Sequence, residues 1–124
     1  MTVLTTVANA AEAAAVLPAA AAEAARRNSD LHVLDLTSGR DTQALAAALE
    51  AARAELGPDG RAVVVTEPSI PDHATAALVA ADETGADVLV IGVRRRSPVG
   101  KLVMGSVAQS ILLDADCPVL AVRV

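Results

Sequence analysis

The sequence predicts an α/β protein built on an open five-stranded parallel sheet with helices on both faces. Five short β-prone segments alternate with helix-prone segments along the 124 residues. Three of the β-prone segments are nearly continuous apolar runs, which is typical of strands covered on both faces. The length suffices for one compact domain and not for two, so we expect residues 1–124 to form a single domain.

The first 36 residues predict a strand, a helix and a second strand. Thr2–Val7 (TVLTTV) is rich in β-branched residues and predicts the first strand. Ala10–Arg27 is rich in alanine and glutamate and predicts a helix, which Pro18 should kink or split. Leu31–Leu36 (LHVLDL) predicts the second strand.

The middle of the chain predicts a helix, a strand and another helix. Thr42–Leu56 predicts the second helix, with Asp41 as its N-terminal cap. Ala62–Thr66 (AVVVT) is an uninterrupted β-branched run and predicts the third strand. A third helix should begin near Pro71, capped by Ser69, and should end at the glycine after Thr84.

The last third predicts a strand, a short helix and a closing strand, over Asp87–Gly92, Ser106–Leu113 and Pro118–Val122. The whole pattern is Rossmann-like. Open sheets of this kind bind ligands beyond the carboxyl ends of their strands, where the chain order reverses. We therefore expect a small-molecule site in the loop that follows the fourth strand, from Gly92 to Ser106.

The composition indicates a globular protein with a thin stability margin. Hydrophobic residues make up 53%, but alanine supplies 29 of the 124 residues and there is no Phe, Tyr or Trp. Such a core buries little apolar area per residue, so a partner subunit or a ligand should add stability. No signal peptide or membrane span is predicted, and a lone cysteine excludes an internal disulfide. We expect a cytoplasmic protein with no membrane partner.

The charge distribution argues against nucleic acid and for a compact anion. The net charge is −5, which disfavours general binding to a polyanion. Four of the ten basic residues nevertheless lie within eight positions. These residues are Arg94, Arg95, Arg96 and Lys101. A solvated loop would explain such a run, but its position beside glycines also suits a phosphate site.

Two glycine positions flank the basic loop and suit phosphate chemistry. A glycine at residue 92, directly after a strand, would allow a sharp turn with positive φ and a close approach of ligand. Gly105 and Ser106 open a helix, whose free N–H groups and dipole favour phosphate. Lys101 does not make a P-loop, because Leu102 follows it where Ser or Thr is required.

The residues from Ile91 onward resemble the universal stress protein family. That family closes with a strand, a glycine motif (Gly, two residues, Gly, nine residues, Gly, then Ser or Thr), a short helix and a Cys-Pro-Val strand. Gly92, Gly105, Ser106 and Cys117–Val119 match the motif at the right spacing. The resemblance implies a sheet in the order 3-2-1-4-5. It also implies a stress-response protein that binds ATP or another adenine nucleotide as a regulatory ligand.

By the same resemblance, Val33 and Ile91 would flank adenine. Aliphatic side chains in this role fit a chain that has no aromatic residue to stack on the base. The remaining residues carried over as nucleotide-binding are Gly92, Arg95, Gly105, Ser106 and Val107. Two positions depart from the family. Arg95 replaces the second glycine of the motif, and either obstructs a phosphate or binds it. Ala8 replaces an acidic residue that contacts the nucleoside, which removes hydrogen bonds of about 1 kcal/mol or more each.

No catalytic set and no metal site is expected, so the chain is not predicted to be an enzyme. His32 and His73 lack a third ligand in the sequence, and Cys117 is better explained as a structural thiol. Asp35 is better explained by a surface or capping role than by ribose binding. The resemblance implies a homodimer formed through the edge strand Val119–Val124. A second hypothesis is a dimerising module whose nucleotide site has decayed, supported by Ala8 and Arg95.

Overall fold

The computed structural model describes residues 1–57, 61–94 and 105–124, which form five strands and four helices. The strands are β1 (Thr2–Val7), β2 (Asp30–Asp35), β3 (Val63–Thr66), β4 (Val88–Val93) and β5 (Val119–Arg123). The helices are α1 (Ala10–Arg27), α2 (Thr42–Leu56), α3 (His73–Thr84) and α4 (Ser106–Asp114).

All five strands are parallel, and the sheet order is β3-β2-β1-β4-β5, which confirms the predicted fold class. The central strand β1 pairs with β2 on one side and with β4 on the other. Thr5, for example, lies between Val33 of β2 and Val90 of β4. Because every connection is a crossover through a helix or a loop, the carboxyl ends of all strands meet at one edge.

The helices cover both faces of the sheet and create two apolar layers. Helices α1 and α2 pack on the face that carries Val3, Val33 and Val90. Helices α3 and α4 pack on the opposite face, against alternate residues such as Leu4 and Ile91. Because strand side chains alternate between faces, neighbouring residues of one strand belong to different layers. This alternation decides which predicted residues can meet at a site.

Helix α1 is continuous through Pro18, so the expected split of that helix is not observed. Its bounds and those of β1 and α2 match the prediction. The other strands begin one residue away from their predicted starts, and α4 ends one residue later, at Asp114. Shifts of this size are ordinary at element ends, where hydrogen bonding and side-chain pattern do not change at the same residue.

Two predicted helix caps are wrong. Asp41 occupies the N-cap position of α2 but has φ 54° and makes no side-chain bond to that helix. Its Oδ2 instead accepts a hydrogen bond from Ala10 N, at 2.9 Å, at the start of α1. Helix α3 begins at His73 rather than near Pro71, and Asp72 rather than Ser69 caps it by accepting from Thr75 N at 2.9 Å.

The sheet has two edge strands, β3 and β5, as the order requires. Leu120 on β5 is 38% exposed, and Leu113, near the end of α4, is 82% exposed. Within the described ranges, no helix combines the length and apolar character needed to cross a bilayer.

Candidate functional site

The candidate site is a crevice between β1 and β4 at the carboxyl edge of the sheet. From β1 the chain continues into α1 on one face, and α4 lies beside β4 on the other face. These two helices therefore lie on opposite faces of the sheet, which leaves a cavity of about 270 Å³ at the ends of β1 and β4. Its described lining consists of Thr6, Ala8, Asn9, Glu12, Leu36, His73, Ile91, Gly92, Val93, Arg94, Gly105, Ser106, Val107, Ala108 and Ile111.

The first turn of α1 borders the cavity, and side-chain oxygens accept from two of its N–H groups, those of Ala10 and Glu12. Asn9 is the N-cap residue, and its Oδ1 accepts from Glu12 N at 2.9 Å. The Glu12 carboxylate bends back, and its Oε1 accepts from Ala8 N at 3.0 Å. Ala10 N is bonded to Asp41. This pattern is close to a capping box, so the start of α1 has little left to offer an anion.

The first turn of α4 lies across the cavity, and its N–H groups, unlike those of Ala10 and Glu12, have no recorded acceptor among the described residues. Its N-cap is Gly105, which has no side chain and makes no capping bond. Regular helix hydrogen bonding starts with Gln109 N, which donates to Gly105 O at 3.0 Å. For the N–H groups of Ser106 and Val107, no acceptor is recorded among the residues that the structure describes. Ser106 and Val107 both line the cavity, so these N–H groups and the exposed Ser106 hydroxyl suit a phosphate.

Three polar side chains of the described lining carry or can carry charge. Arg94, directly after β4, donates through Nη2 to Asn9 Oδ1 over a long 3.4 Å, and no other acceptor for its guanidinium is recorded among the described residues. His73, the first residue of α3, also lines the cavity. Glu12 is the acidic member of this described set. Positive potential from Arg94 and the α4 terminus thus lies in the same cavity as one carboxylate.

The rest of the lining is largely aliphatic. It is formed by Leu36, Ile91, Val93, Val107, Ala108 and Ile111. Ile91 and Ile111 are almost completely buried, whereas Val107 is 37% exposed. An apolar wall with a few convergent polar groups is the usual constitution of a small-molecule site.

Five of the predicted site residues come together in this cavity: Ile91, Gly92, Gly105, Ser106 and Val107. Gly92, however, does not act as expected. It lies inside β4 rather than after it, and its φ is not positive. A Cβ at this position would lie 2.7 Å from Val124 Cγ2 and 3.1 Å from Val16 Cγ2. The glycine is therefore required by the close packing of α1 and the chain end against β4.

The other two predicted residues are not brought to the cavity. Val33 is fully buried in the α1/α2 layer, whereas Ile91 belongs to the α3/α4 layer. Since the sheet separates these layers, the two side chains do not face each other across one base. Arg95 lies outside the described residues, as do Arg96 and Lys101.

Sequence reasoning missed Asn9, Glu12, Leu36 and His73 as lining residues. A usable signal was present. In a parallel sheet each helix that follows a strand begins at the carboxyl edge, so the first turns of α1, α3 and α4 all lie near it. Leu36 follows from the period of two that begins at Leu34, on the α3/α4 face.

The remaining candidates have structural explanations. Asp35 Oδ1 accepts from Thr37 N at 2.9 Å and from Thr37 Oγ1 at 2.6 Å, which holds the turn after β2. Burial raises the pKa of Cys117 and lowers the pKa of His32. In the part of the chain that the structure describes, no three His, Cys, Asp or Glu side chains are arranged to hold a metal ion.

Comparison with known proteins points in a single direction. The family model for the universal stress protein family matches residues 1–123. A universal stress protein from Mycolicibacterium smegmatis is 40% identical over 105 residues, which cover 82% of this chain and 81% of the relative.

Solved structures extend the likeness to the whole fold. A universal stress protein from Archaeoglobus fulgidus superposes with a TM-score of 0.75 at 29% identity, covering 98% of each chain. A universal stress protein in complex with cAMP superposes with a TM-score of 0.68 at 26% identity, covering 99% of this chain and 96% of the other.

Proposed function

This chain belongs to the universal stress protein family, and we propose that it binds ATP or another adenine nucleotide as a regulatory ligand between β1 and β4. The observation that carries the proposal is the first turn of α4, which lines the same cavity as Arg94 and has no side-chain cap among the described residues. The complex of a related universal stress protein with cAMP supports adenine as the base. We propose a regulatory ligand rather than a substrate, because no residue of the site is assigned a catalytic role.

The phosphates would lie at the α4 end of the cavity. There the N–H groups of Ser106 and Val107 and the Ser106 hydroxyl supply hydrogen bonds and positive potential. The Arg94 guanidinium, which contacts Asn9 Oδ1 at the α1 side of the same cavity, adds a positive charge that a phosphate chain could reach. The start of α1 is the weaker candidate, because Asp41 and Asn9 already accept from Ala10 N and Glu12 N, and the Glu12 carboxylate would repel a phosphate there.

The base would lie against the aliphatic wall. Ile91 and Leu36 come from adjacent regions of the α3/α4 layer, and Val107 adds a partly exposed surface. We therefore assign to Leu36 the contact with the base that the family resemblance implies for Val33. Aliphatic contact with both ring and sugar is consistent with a chain that has no aromatic side chain.

Isothermal titration of the purified protein with ATP tests the proposal. We expect saturable heat at micromolar to high-micromolar ATP, and a loss of affinity of about threefold to tenfold in Ser106→Ala, since one neutral hydrogen bond is removed. Ser110→Ala, one turn further along α4, is the matched control and should bind normally. Absence of heat at high-micromolar ATP, with no nucleotide released on denaturation, would contradict the proposal.

Arg95 decides how the altered glycine motif works. The variant Arg95→Gly restores the residue type that the family has at this position. Affinity for ATP should fall if the guanidinium binds a phosphate, and should rise if it fills the phosphate space. Titration of this variant beside the wild-type protein separates the two roles.

We also propose that the protein is a homodimer formed through β5. The strand lies at the edge of the sheet with Leu120 38% exposed, and an apolar edge of this kind is commonly covered by a partner. Dimerisation without a ligand is the second candidate function, favoured by the methyl group of Ala8 where the family has a carboxylate. It predicts a dimer whose melting temperature ATP does not raise.

A further inference from the structure

We propose that Glu12 accepts a hydrogen bond from a sugar hydroxyl of the bound nucleotide and makes the site selective for ribonucleotides over deoxyribonucleotides. The inference rests on the proposed function and names the feature of the ligand that this chain distinguishes. It is carried by the position, the orientation and the free oxygen of one carboxylate in the cavity.

The Glu12 side chain is held in place from two directions. Its Oε1 accepts from Ala8 N at 3.0 Å, which turns the carboxylate back over the end of β1. Its Cγ lies 3.4 Å from where a Cβ on residue 92 would be, so the absence of a side chain on Gly92 leaves room for it. The carboxylate is thus fixed at the β1/β4 crevice rather than free in solvent.

The second carboxylate oxygen is available to a ligand. No hydrogen-bond partner of Glu12 Oε2 is recorded among the described residues, and the side chain is half-buried in the cavity lining. A half-buried carboxylate oxygen gains substantially from accepting a bond, and a ribose hydroxyl is a donor that nucleotide sites commonly pair with Asp or Glu.

The charges in the cavity fix which part of the ligand meets Glu12. A phosphate beside this carboxylate would be repelled, and the N–H groups that suit a phosphate lie across the cavity at the α4 terminus. The apolar wall suits the base. The sugar is the remaining part, and it connects the other two. Ala8 offers only a methyl group at the end of β1, so Glu12 supplies the acidic acceptor from the next turn.

Titration with ATP, 2′-deoxy-ATP and 3′-deoxy-ATP, all with Mg²⁺, tests the inference. We expect the wild-type protein to bind at least one deoxy analogue about tenfold more weakly than ATP, as loss of a hydrogen bond to a charged group predicts. In Glu12→Ala that ratio should approach one. In Glu12→Gln, which keeps an acceptor for Ala8 N but replaces the free oxygen with an NH₂ group, the ratio should be intermediate.

Each ratio is measured within one variant, so a general loss of affinity or stability cancels. Glu50→Gln removes the same charge from an exposed position of α2 and should keep the wild-type ratio. Equal binding of all three nucleotides by the wild-type protein overturns the inference and leaves the proposed function intact, and so does an unchanged ratio in Glu12→Ala. Absence of ATP binding overturns both.

Discussion

At the scale of single residues, the crevice depends on two glycines, Gly92 and Gly105, where a side chain would occupy space. Gly92 admits Val16, Val124 and Glu12 against β4, and Gly105 leaves the α4 terminus uncovered. The two glycines have different reasons for being small. At Gly92 the space is filled by neighbouring side chains, whereas no described residue beyond the chain neighbours and α4 itself comes within 4 Å of a Cβ built on Gly105.

The two glycines therefore predict opposite results on alanine substitution. Gly92→Ala should lower the free energy of unfolding by about 1–3 kcal/mol, because a methyl group would overpack the contact between α1 and β4. Gly105→Ala should leave stability nearly unchanged, since its φ of −63° suits any residue and the described residues leave space for a methyl group. Urea unfolding of both variants measures the difference. Equal stability of Gly92→Ala and the wild-type protein would refute the packing role.

The sequence identified Gly92, Gly105 and Ser106 by spacing, but it could not assign the task of each. Whether a strand glycine turns the backbone or admits a neighbour depends on tertiary contacts, here with Val16 and Val124, that spacing does not encode. The same limit explains Val33. Side chains alternate between the faces of a strand, so Val33 lies in the other layer from Leu34 and Leu36. A motif match gives a residue's position along the chain but not the face of the sheet on which its side chain lies.

At the scale of elements, the contrast between α1 and α4 determines where an anion can bind. Both helices begin at the crevice. Asp41 and Asn9 accept from two N–H groups of α1, whereas the first turn of α4 has no side-chain cap among the described residues. The bounds of α1 and α2 could be predicted because alanine-rich runs have strong helix propensity. The partner of Asp41 could not, because its acceptor oxygen serves a helix 31 residues earlier in the chain.

The cap of α3 makes a pH-dependent prediction. Hydrogen bonds from the Thr75 hydroxyl and from Thr75 N lower the pKa of Asp72 below its ordinary value of 3.8. The stabilisation is therefore present at neutral pH and is lost as the pH falls through the lowered native pKa. Asp72→Ala should lower the melting temperature at pH 7 by roughly 3–6 °C.

Comparison across pH separates the cap from other effects. The difference in melting temperature between the wild-type protein and Asp72→Ala should shrink as the pH falls below 3.8. Asp72→Asn keeps a capping oxygen without the titrating charge, so it should remain close to the wild-type protein at pH 7. A difference that stays constant from pH 7 into the acid range would show that Asp72 does not act through its ionised carboxylate.

At the scale of the whole molecule, an aromatic-free chain still forms two complete apolar layers around one sheet. The fold class could be predicted because continuous apolar strands separated by helices leave few arrangements other than a parallel sheet. The crevice between β1 and β4 follows from that topology. Its polar lining does not, since Glu12 and His73 become neighbours of α4 only through the packing of three helices at one edge.

The proposed dimer makes a prediction that depends on the direction of the β5 N–H groups. Leu89 N donates to Pro118 O and Val124 N donates to Val93 O, so even-numbered residues of β5 pair with β4. Odd-numbered residues such as Ala121 direct their N–H groups to the open edge. Ala121→Pro should therefore keep the fold and give a monomer, whereas Leu120→Pro should unfold the protein or break the dimer.

Sedimentation at several protein concentrations, combined with circular dichroism, measures both properties for each variant. A wild-type protein that is monomeric throughout would contradict the proposed dimer. A folded and fully dimeric Ala121→Pro would move the interface away from the β5 edge.

The central claim is that an adenine nucleotide binds at the uncapped start of α4. Titration of ¹⁵N-labelled protein with ATP, followed by amide chemical shifts, tests it most directly. The largest saturable shifts should belong to Ser106, Val107 and Arg94, with smaller ones at Ala8 and Glu12. Amides of residues that lie between α1 and α2 and do not line the crevice, such as Ala48, should not shift. An unchanged spectrum at high-micromolar ATP, or shifts confined to residues outside the crevice, would contradict the account.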